Sequence, residues 1–316
     1  EGQARAFPDR PFLIDGEQRV TYAAVEAQAN RMAHVFYDNG LRPGDVCAIA
    51  MENRPAFFFS WFGLVKLGAV AAFINTQVSG KPLVHALEST AAKAVVVGEE
   101  CLGNVLSTDV PWWLIRDPEN PSDAALPACV DESLAVQLER APATAFPRDG
   151  RASIPAESTT LLIFTSGTTG LPKAARYSHM RWLSSGDVME VTLGATCEDV
   201  FYCCLPLYHG AAATSVTSTA LRAGASIVMR RKFSVREFWA DVRRNRITVF
   251  QYIGEICRYL LNQPVVAGER EHSLRHMLGA GLTPESWQRW LERFGPIQVF
   301  EGWGATESNA NLINVD

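Results

Sequence analysis

The sequence predicts an α/β fold with a largely parallel β-sheet covered by helices on both faces. Along most of the chain, stretches with helical periodicity alternate with short apolar runs, for example FGLVKLG followed by VAAFI, and PESWQRWLERFG followed by IQVF. Such apolar runs are typical of strands buried on both faces, and their alternation with helices indicates parallel pairing. With 316 residues, of which 47% are hydrophobic, the chain can bury a sizeable core.

The first long helix is predicted to begin after Thr21, which suits an N-cap, and to end near Gly40, which suits a C-terminal cap. The strand candidate VCAIAM follows, and the alternation recurs as PLVHALEST before KAVVVG and VREFWADVRRN before ITVFQY. The apolar side chains of the first helix share one face and are Val25, Ala29, Met32, Ala33 and Phe36.

The most apolar stretch, AFFFSWFGLVKLGAVAAFI, carries Lys66 and two glycines in its middle. A membrane-spanning helix needs about 20 predominantly apolar residues. Because this stretch breaks after Gly68, we expect a buried helix followed by a buried strand.

Between Arg116 and Glu157 the alternation fails, and prolines with scattered acidic residues predict an irregular excursion. The excursion ends at TTLLIF, a strand candidate that leads directly into the loop TSGTTGLPK. Glycines let successive backbone N–H groups point into one concavity, and hydroxyl groups add donors for phosphate oxygens. The spacing matches neither GxxxxGK(S/T) nor GxGxxG, so the loop predicts a phosphate site of another kind, with Lys173 at its edge.

The net charge of −5 gives no overall basic field, so a nucleic-acid partner is not expected. Seven cysteines without regular spacing predict no disulfide framework and favour a reducing compartment. The interpretation is a cytoplasmic protein, with contact at the membrane periphery left open. A basic cluster is either a solvated helix face or a contact for an anionic ligand or lipid surface, and it consists of Arg230, Arg231, Lys232, Arg236, Arg243, Arg244 and Arg246.

Two further groups of residues do not predict a site. His272 and His276 are expected on a helix surface, because EHSLRHM lacks the HExxH order and a clear third ligand. Cys203 and Cys204 are expected in a buried strand, where successive side chains point to opposite faces.

Four motifs resemble those of the adenylate-forming enzymes and occur in the order of that superfamily, which includes acyl-CoA synthetases, peptide-synthetase adenylation domains and luciferases. TSGTTGLPK resembles the phosphate loop, PLYHG the Pro-Leu-x-His segment, GAG the adenine loop, and GWGATE the aromatic-Gly-x-Thr-Glu motif. YIGEICRYLLNQP and WFGLVKLGAV are similar to segments of the fatty acid transport proteins and very-long-chain acyl-CoA synthetases. The resemblance implies that residues 1–316 are most of the large N-terminal domain of an acyl-CoA synthetase, with stacked, largely parallel sheets.

The resemblance also implies a reaction, the ATP-dependent activation of long or very long chain fatty acids to an acyl-adenylate and then to acyl-CoA. ATP, Mg²⁺ and coenzyme A would take part. Thr306 would bind the α-phosphate, Glu307 would bind Mg²⁺, and Trp303, where the family more often has Tyr or Phe, would stack on adenine. The remaining nucleotide contacts that the resemblance implies are Thr165, Ser166, Gly167, Thr168, Thr169, Gly170 and Lys173 for the phosphates, and Gly279, Ala280 and Gly281 beside the base.

On the acyl side, the resemblance implies that His209 is a gate between the acyl tunnel and the adenylate. It assigns the acyl substrate to Tyr208, Tyr252 and Gly254 as well. The family's ribose-binding Asp, its hinge and its C-terminal lysine do not occur before Asp316, so the end of the large domain and the small C-terminal domain are expected to be missing.

Two other functions stay open at this point. One is an acyl-AMP ligase that passes the acyl group to a carrier protein, and the other is a nucleotide- or lipid-binding module without turnover. The sequence predicts neither the acyl chain length nor the oligomeric state.

Overall fold

The computed structural model describes residues 1–106, 108–118, 133–166, 170–308 and 311–314. The chain divides into two compact units. Unit 1 comprises Glu1–Asp9, Thr21–Trp182 and Leu207–His209, and unit 2 comprises Arg10–Val20, Leu183–Pro206 and Gly210–Asp316.

Helices and strands alternate along most of the described chain. The α-helices are α1 (Gly2–Ala6), α2 (Tyr22–Asp38), α3 (Pro55–Leu67), α4 (Gly80–Ser89), α5 (Leu102–Val105), α6 (Ser133–Arg140), α7 (His179–Leu193), α8 (Thr217–Ala223), α9 (Phe238–Arg244), α10 (Gly254–Leu261) and α11 (Pro284–Phe294). The strands are β1 (Pro11–Asp15), β2 (Gln18–Thr21), β3 (Val46–Ala50), β4 (Val70–Phe73), β5 (Ala94–Gly98), β6 (Trp112–Ile115), β7 (Thr159–Ser166), β8 (Pro172–Ser178), β9 (Val200–Cys203), β10 (Ser226–Met229), β11 (Val249–Ile253), β12 (His276–Ala280), β13 (Gln298–Gly304) and β14 (Asn311–Ile313). A 3₁₀ turn occupies Glu99–Cys101, and a π-helix occupies Ala211–Val216.

Unit 1 is built on a sheet with the strand order β6-β5-β3-β4-β7-β8, in which neighbouring strands are parallel except for the antiparallel pair β7 and β8. Thr21 caps α2 by accepting a hydrogen bond from the N–H of Ala24 at 3.1 Å, as its position predicts. Helix α3 ends at Leu67 and is capped by Gly68, whose φ of 84° favours glycine, and the buried strand β4 follows. The prediction of a buried helix followed by a buried strand is therefore confirmed.

The packing of α2 against α3 explains a glycine inside the apolar helix. A Cβ atom at Gly63 would overlap the Cβ atom of Met32 and crowd the backbone of Ala29 and Ala33. Close helix approach at this point therefore depends on the missing side chain. In the part of the chain that the structure describes, no helix combines the length and apolar character needed to cross a bilayer.

Unit 2 is built on a sheet with the order β14-β13-β12-β11-β9-β10-β1-β2. The pairs from β13 to β1 are parallel, and β14 is antiparallel to β13. An aromatic cluster packs against the sheet and consists of Phe238, Trp239, Phe250, Trp290 and Phe294. Two largely parallel sheets with helices between their strands confirm the predicted α/β fold class.

The two histidines expected on a helix surface lie elsewhere. His276 is buried and is the first residue of β12. The ring of His272 stacks on Trp239 at 5.2 Å, and its Nε2 lies 2.9 Å from the carbonyl oxygen of Phe294. The expectation was wrong because the apolar residues after the histidines pair with neighbouring strands, and this tertiary pairing outweighs local helical spacing.

The segment expected to be irregular, 116–157, includes helix α6. Its residues 119–132 lie outside the described residues. Arg31 of α2 donates hydrogen bonds to backbone carbonyls at the end of α6, at 3.3 Å to Leu138 and 3.3 Å to Glu139. Helix α6 therefore belongs to the packed part of unit 1.

Candidate functional site

The loop TSGTTGLPK joins the antiparallel strands β7 and β8 of unit 1. Thr165 and Ser166 end β7, where Thr165 pairs with Lys173 and Ser166 pairs with Pro172. Gly170 has a φ of 82°, a conformation that favours glycine. The predicted residues that lie outside the described ones are Gly167, Thr168 and Thr169, together with the side chain of Ser166.

The segment around His209 is anchored in unit 1 by a buried amide. The N–H of Leu207 donates to Oδ1 of Asn53 at 2.7 Å, and both residues are buried. The rings of Tyr208 and His209 lie 4.6 Å apart. Although His209 is exposed by surface area, surrounding protein desolvates the ring and lowers its pKa below 6.5, so the imidazole is neutral at pH 7.

In unit 2, the predicted adenine loop and the aromatic motif lie at the carboxyl ends of β12 and β13. Tyr252, Gly279 and Glu301 occupy adjacent register positions on β11, β12 and β13. In open α/β sheets, ligands bind outside the carboxyl ends of the parallel strands. The sheet of unit 2 therefore brings the predicted residues Tyr252 and Gly279, together with Glu301, to the edge where such ligands bind.

A pocket of about 600 Å³ opens at this edge. Trp303, in β13, is 67% exposed, whereas the core tryptophan Trp290 of α11 is 0% exposed. An indole that is left this exposed beside residues with little or no side chain offers an aromatic face to a ligand. The pocket is lined by Ala280, Gly281, Glu301, Gly302, Trp303, Leu312, Ile313 and Asn314.

Two glycines allow the backbone segments behind the pocket to approach each other. A Cβ atom at Gly254 would overlap the carbonyl group of Gly281. A Cβ atom at Gly279 would overlap the carbonyl oxygen of Tyr252 and lie 2.7 Å from its ring Cγ. The structure thus gives Gly254, predicted for the acyl substrate, a contact with the adenine loop, and an acyl role for it stays a prediction.

Glu301 is at the centre of a hydrogen-bond network beside the pocket. Its Oε2 accepts from the Tyr252 hydroxyl at 2.5 Å. Its Oε1 accepts from the backbone N–H of Leu282 at 3.1 Å and from that of Gly281. The backbone N–H of Glu301 donates to Oδ1 of Asn314 at 2.6 Å. Glu301 and Asn314 were not predicted from the sequence, and the signal available for Glu301 was a carboxylate directly after the apolar run IQVF.

Thr306 and Glu307 lie in a turn after β13, with Thr306 half-buried and Glu307 exposed. Across the described ranges, no cluster of three or more His, Cys, Asp or Glu side chains is placed to hold a metal ion. A single exposed carboxylate suits an ion such as Mg²⁺ that takes most of its ligands from water and substrate phosphates.

The cysteines near His209 in sequence are unsuited to nucleophilic chemistry. Cys203 and Cys204 are both buried. Burial raises the pKa of Cys203 to about 12 and that of Cys204 well above its ordinary value. Because the thiolate is the nucleophile, these thiols are inert at neutral pH.

The motifs agree with the comparison to protein families. Residues 1–315 match the family of AMP-binding enzymes, and the chain belongs to that family. It is 39% identical over 318 residues to human long-chain fatty acid transport protein 6, covering 98% of this chain and 50% of the relative. It is 37% identical over 319 residues to the medium/long-chain-fatty-acid–CoA ligase FadD6 of Mycobacterium tuberculosis, covering 100% of this chain and 51% of that protein. The chain spans about half the length of the curated relatives it matches.

Solved structures share the fold. The inhibitor-bound N-terminal domain of FACL13 from Mycobacterium tuberculosis superposes with a TM-score of 0.84 at 23% identity, covering 99% of this chain and 77% of that one. ATP-bound MatB from Rhodopseudomonas palustris gives a TM-score of 0.83 at 22% identity, covering 99% of this chain and 61% of that one. At these identities the likeness supports the fold alone.

Proposed function

We propose that the protein activates long or very long chain fatty acids with ATP, forming an acyl-adenylate and then acyl-CoA. One observation carries the nucleotide half of this proposal. Trp303 is 67% exposed over a pocket whose neighbouring residues Ala280, Gly281 and Gly302 leave room for a flat ring. Base–aromatic stacking needs such an accessible aromatic face. The match to AMP-binding enzymes supports the same ligand.

The reaction proceeds in two displacements. An oxygen of the fatty acid carboxylate attacks the α-phosphorus of ATP, the bond to the β-phosphate oxygen breaks, and pyrophosphate leaves. The thiolate of coenzyme A then attacks the acyl carbon, and AMP leaves. Because anions must meet in the first step, catalysis depends on positioning and on charge neutralisation.

On the phosphate side, we assign Thr306 to the α-phosphate and Glu307 to Mg²⁺, which would neutralise phosphate charge when bound. The hydroxyl and N–H donors of the loop between β7 and β8 would hold the β- and γ-phosphates, with Lys173 at its edge. Glycine and hydroxyl residues suit this because small side chains leave backbone donors accessible. The loop residues concerned are Thr165, Ser166, Gly167, Thr168, Thr169 and Gly170.

On the acyl side, we assign His209 as the gate next to the adenylate and Tyr208 as its neighbour along the acyl path. A neutral imidazole suits this position, because it adds no positive charge beside an apolar chain. The long-chain substrate class is supported by a relative named for long-chain fatty acids at 39% identity and by one named for medium/long-chain fatty acids at 37% identity.

Carboxylate-dependent exchange of labelled pyrophosphate into ATP tests this proposal, since it reports adenylation alone. The assay would use the product of the intact reading frame beside the 316-residue chain, with fatty acids from short to very long. We expect exchange to rise with chain length in the intact product. Glu307→Gln should reduce Mg²⁺-dependent exchange by about a hundredfold, the loss typical for a group that stabilises developing charge.

Glu285→Gln is the matched control, because Glu285 is an exposed carboxylate in the first turn of α11. It should leave exchange unchanged. No exchange with any fatty acid in the intact product would overturn the proposed function. Transfer of the acyl group to a carrier protein but not to coenzyme A would overturn its second step.

A further inference from the structure

Tyr252 is buried, with 1% of its surface exposed, yet its hydroxyl contacts a residue that lines the pocket. Tyr252, Gly279 and Glu301 are register partners on three neighbouring parallel strands. Laterally paired residues on adjacent strands point to the same face of a sheet. The side chains of Tyr252 and Glu301 therefore lie on one face, separated by the position of Gly279.

Gly279 explains how the two side chains meet across an intervening strand. A Cβ atom at Gly279 would lie 2.7 Å from Cγ and 2.8 Å from Cδ1 of the Tyr252 ring. The ring thus occupies the space that a side chain at Gly279 would fill. The tyrosine hydroxyl consequently reaches across β12 and lies 2.5 Å from Oε2 of Glu301.

The protonation state of Tyr252 determines which of the two side chains donates the hydrogen bond. Burial, and then the hydrogen bond to Glu301, raise the pKa of Tyr252 well above its ordinary value, so its hydroxyl stays protonated and donates. The other carboxylate oxygen of Glu301 accepts from the N–H groups of Gly281 and Leu282. The Glu301 carboxylate therefore accepts hydrogen bonds from three donors. Two of these donors are backbone N–H groups, so the carboxylate fixes the backbone segment that follows β12.

We propose that Tyr252 is a positioning residue of the nucleotide pocket: acting through Glu301, it fixes the backbone at Gly281 and Leu282, of which Gly281 lines the pocket. This inference rests on the proposed function, since it takes the pocket to bind the purine of ATP and AMP. Tyr252 need not touch the ligand in this role.

The first test is Tyr252→Phe in the product of the intact reading frame, with AMP binding measured by calorimetry. The variant loses a hydrogen bond to a charged group, and we expect this loss to raise the Kd for AMP about tenfold. Hydrogen exchange followed residue by residue by NMR provides a second readout. The amides of Gly281 and Leu282 should exchange faster in the variant, because their shared acceptor is no longer fixed.

Tyr202→Phe is the matched control. Tyr202 is also a buried tyrosine of the same sheet, and its hydroxyl donates to Oδ2 of Asp241 at 3.0 Å. It does not line the pocket. Removing the Tyr202 hydroxyl should lower the melting temperature. It should leave the Kd for AMP and the hydrogen exchange of the Gly281 and Leu282 amides unchanged.

Substitutions at Glu301 separate positioning from a general structural role. In Glu301→Ala the group through which Tyr252 acts is gone, so adding Tyr252→Phe should change the Kd for AMP by less than about twofold. Glu301→Gln should keep most of the affinity, because its amide oxygen can accept from both N–H groups and its NH₂ can donate to the tyrosine oxygen.

The outcomes distinguish this inference from the function on which it rests. If the wild-type intact product binds no AMP, the proposed function fails, and this inference fails with it. If the wild type binds AMP and Tyr252→Phe binds it equally well, the inference alone is overturned. Fully additive effects of Tyr252→Phe and Glu301→Ala would also overturn it, because the tyrosine would then act by another route.

Discussion

The two ends of strand β12 are stabilised by different kinds of contact. At the amino end, Arg275 donates to Asp199 at 2.6 and 2.9 Å, and the hydroxyl of Thr248 donates to the same carboxylate at 2.6 Å. At the carboxyl end, Gly254 and Gly279 let backbone segments approach closely. The carboxylate of Glu301 there accepts hydrogen bonds from two backbone N–H groups and from the hydroxyl of Tyr252.

The difference indicates that the amino end stabilises the fold, whereas the carboxyl end has the open surface at which we propose that the nucleotide binds. At the amino end, the ion pair between Arg275 and Asp199 joins the start of β12 to the segment before β9. At the carboxyl end, glycines replace side chains, and an exposed indole lies beside the pocket. In a parallel sheet, ligand-binding loops follow the carboxyl ends of the strands, so the amino ends can be used for stability alone.

The largest expected effect comes from Gly254→Ala, which disturbs the carboxyl end alone. Alanine favours a helix more than glycine does, so a local view predicts stabilisation of α10. The added Cβ atom would instead overlap the carbonyl group of Gly281 and displace the adenine loop. We expect AMP affinity to fall by more than about a hundredfold, the scale of a displacement of about 1 Å at a site, as measured by calorimetry.

Gly103→Ala is the control for Gly254→Ala, because a Cβ atom at Gly103 meets no other atom within 4 Å. This control should bind AMP as the wild type does. Wild-type affinity in Gly254→Ala would show that the close approach does not shape the pocket, and the contrast between the two ends would be lost.

The next effect in size comes from Asp199→Ala at the amino end. Burial alone would raise the pKa of Asp199, but hydrogen bonds from Arg275 and Thr248 outweigh it and lower the pKa. Removing the carboxylate leaves these donors without their acceptor. Because the Arg275 side chain is 40% exposed and can regain water, we expect a loss of about 2 kcal/mol, less than for a fully buried pair, measured by urea unfolding.

Asp187→Ala tests the same substitution in an exposed ion pair with Arg222, and it should cost less than about 1 kcal/mol. Both variants should keep the wild-type Kd for AMP. A large loss of AMP affinity in Asp199→Ala would mean that the amino end also shapes the pocket.

Most elements of the fold were predictable from the sequence, because local signals agree with the tertiary structure there. Thr21 and Gly68 lie at helix ends as predicted, and the apolar runs after the helices form buried strands. The strand at His276 was not predicted, because its pairing with two neighbouring strands is a long-range effect.

The candidate site was predictable only in part. The motif GWGATE predicted Trp303 as a site residue, and the structure places this exposed residue at the pocket, while its contact with a ligand stays a prediction. The bridge between Tyr252 and Glu301 depends on the register of three strands and on Gly279 between them. A single sequence contains no signal for register across strands that are far apart along the chain, so this contact required the structure.

The smallest expected effect concerns pH and His276, at the amino end of β12. Burial lowers the pKa of His276 below 6.5, and the adjacent positive charge of Arg275 lowers it further, against an opposing contribution from Asp199. The folded chain therefore binds this proton less tightly than the unfolded chain does. Stability from His276 is fully present above pH 6.5 and is lost as the pH falls from there towards the folded-state pKa.

His276→Asn should reduce the loss of unfolding free energy between about pH 7.5 and pH 5.5, the range in which histidine titrates. Urea unfolding at several pH values measures this slope. An unchanged slope in the variant would show that protonation at the amino end is not coupled to folding, and the charge-based account of this end would then rest on Asp199 and Arg275 alone.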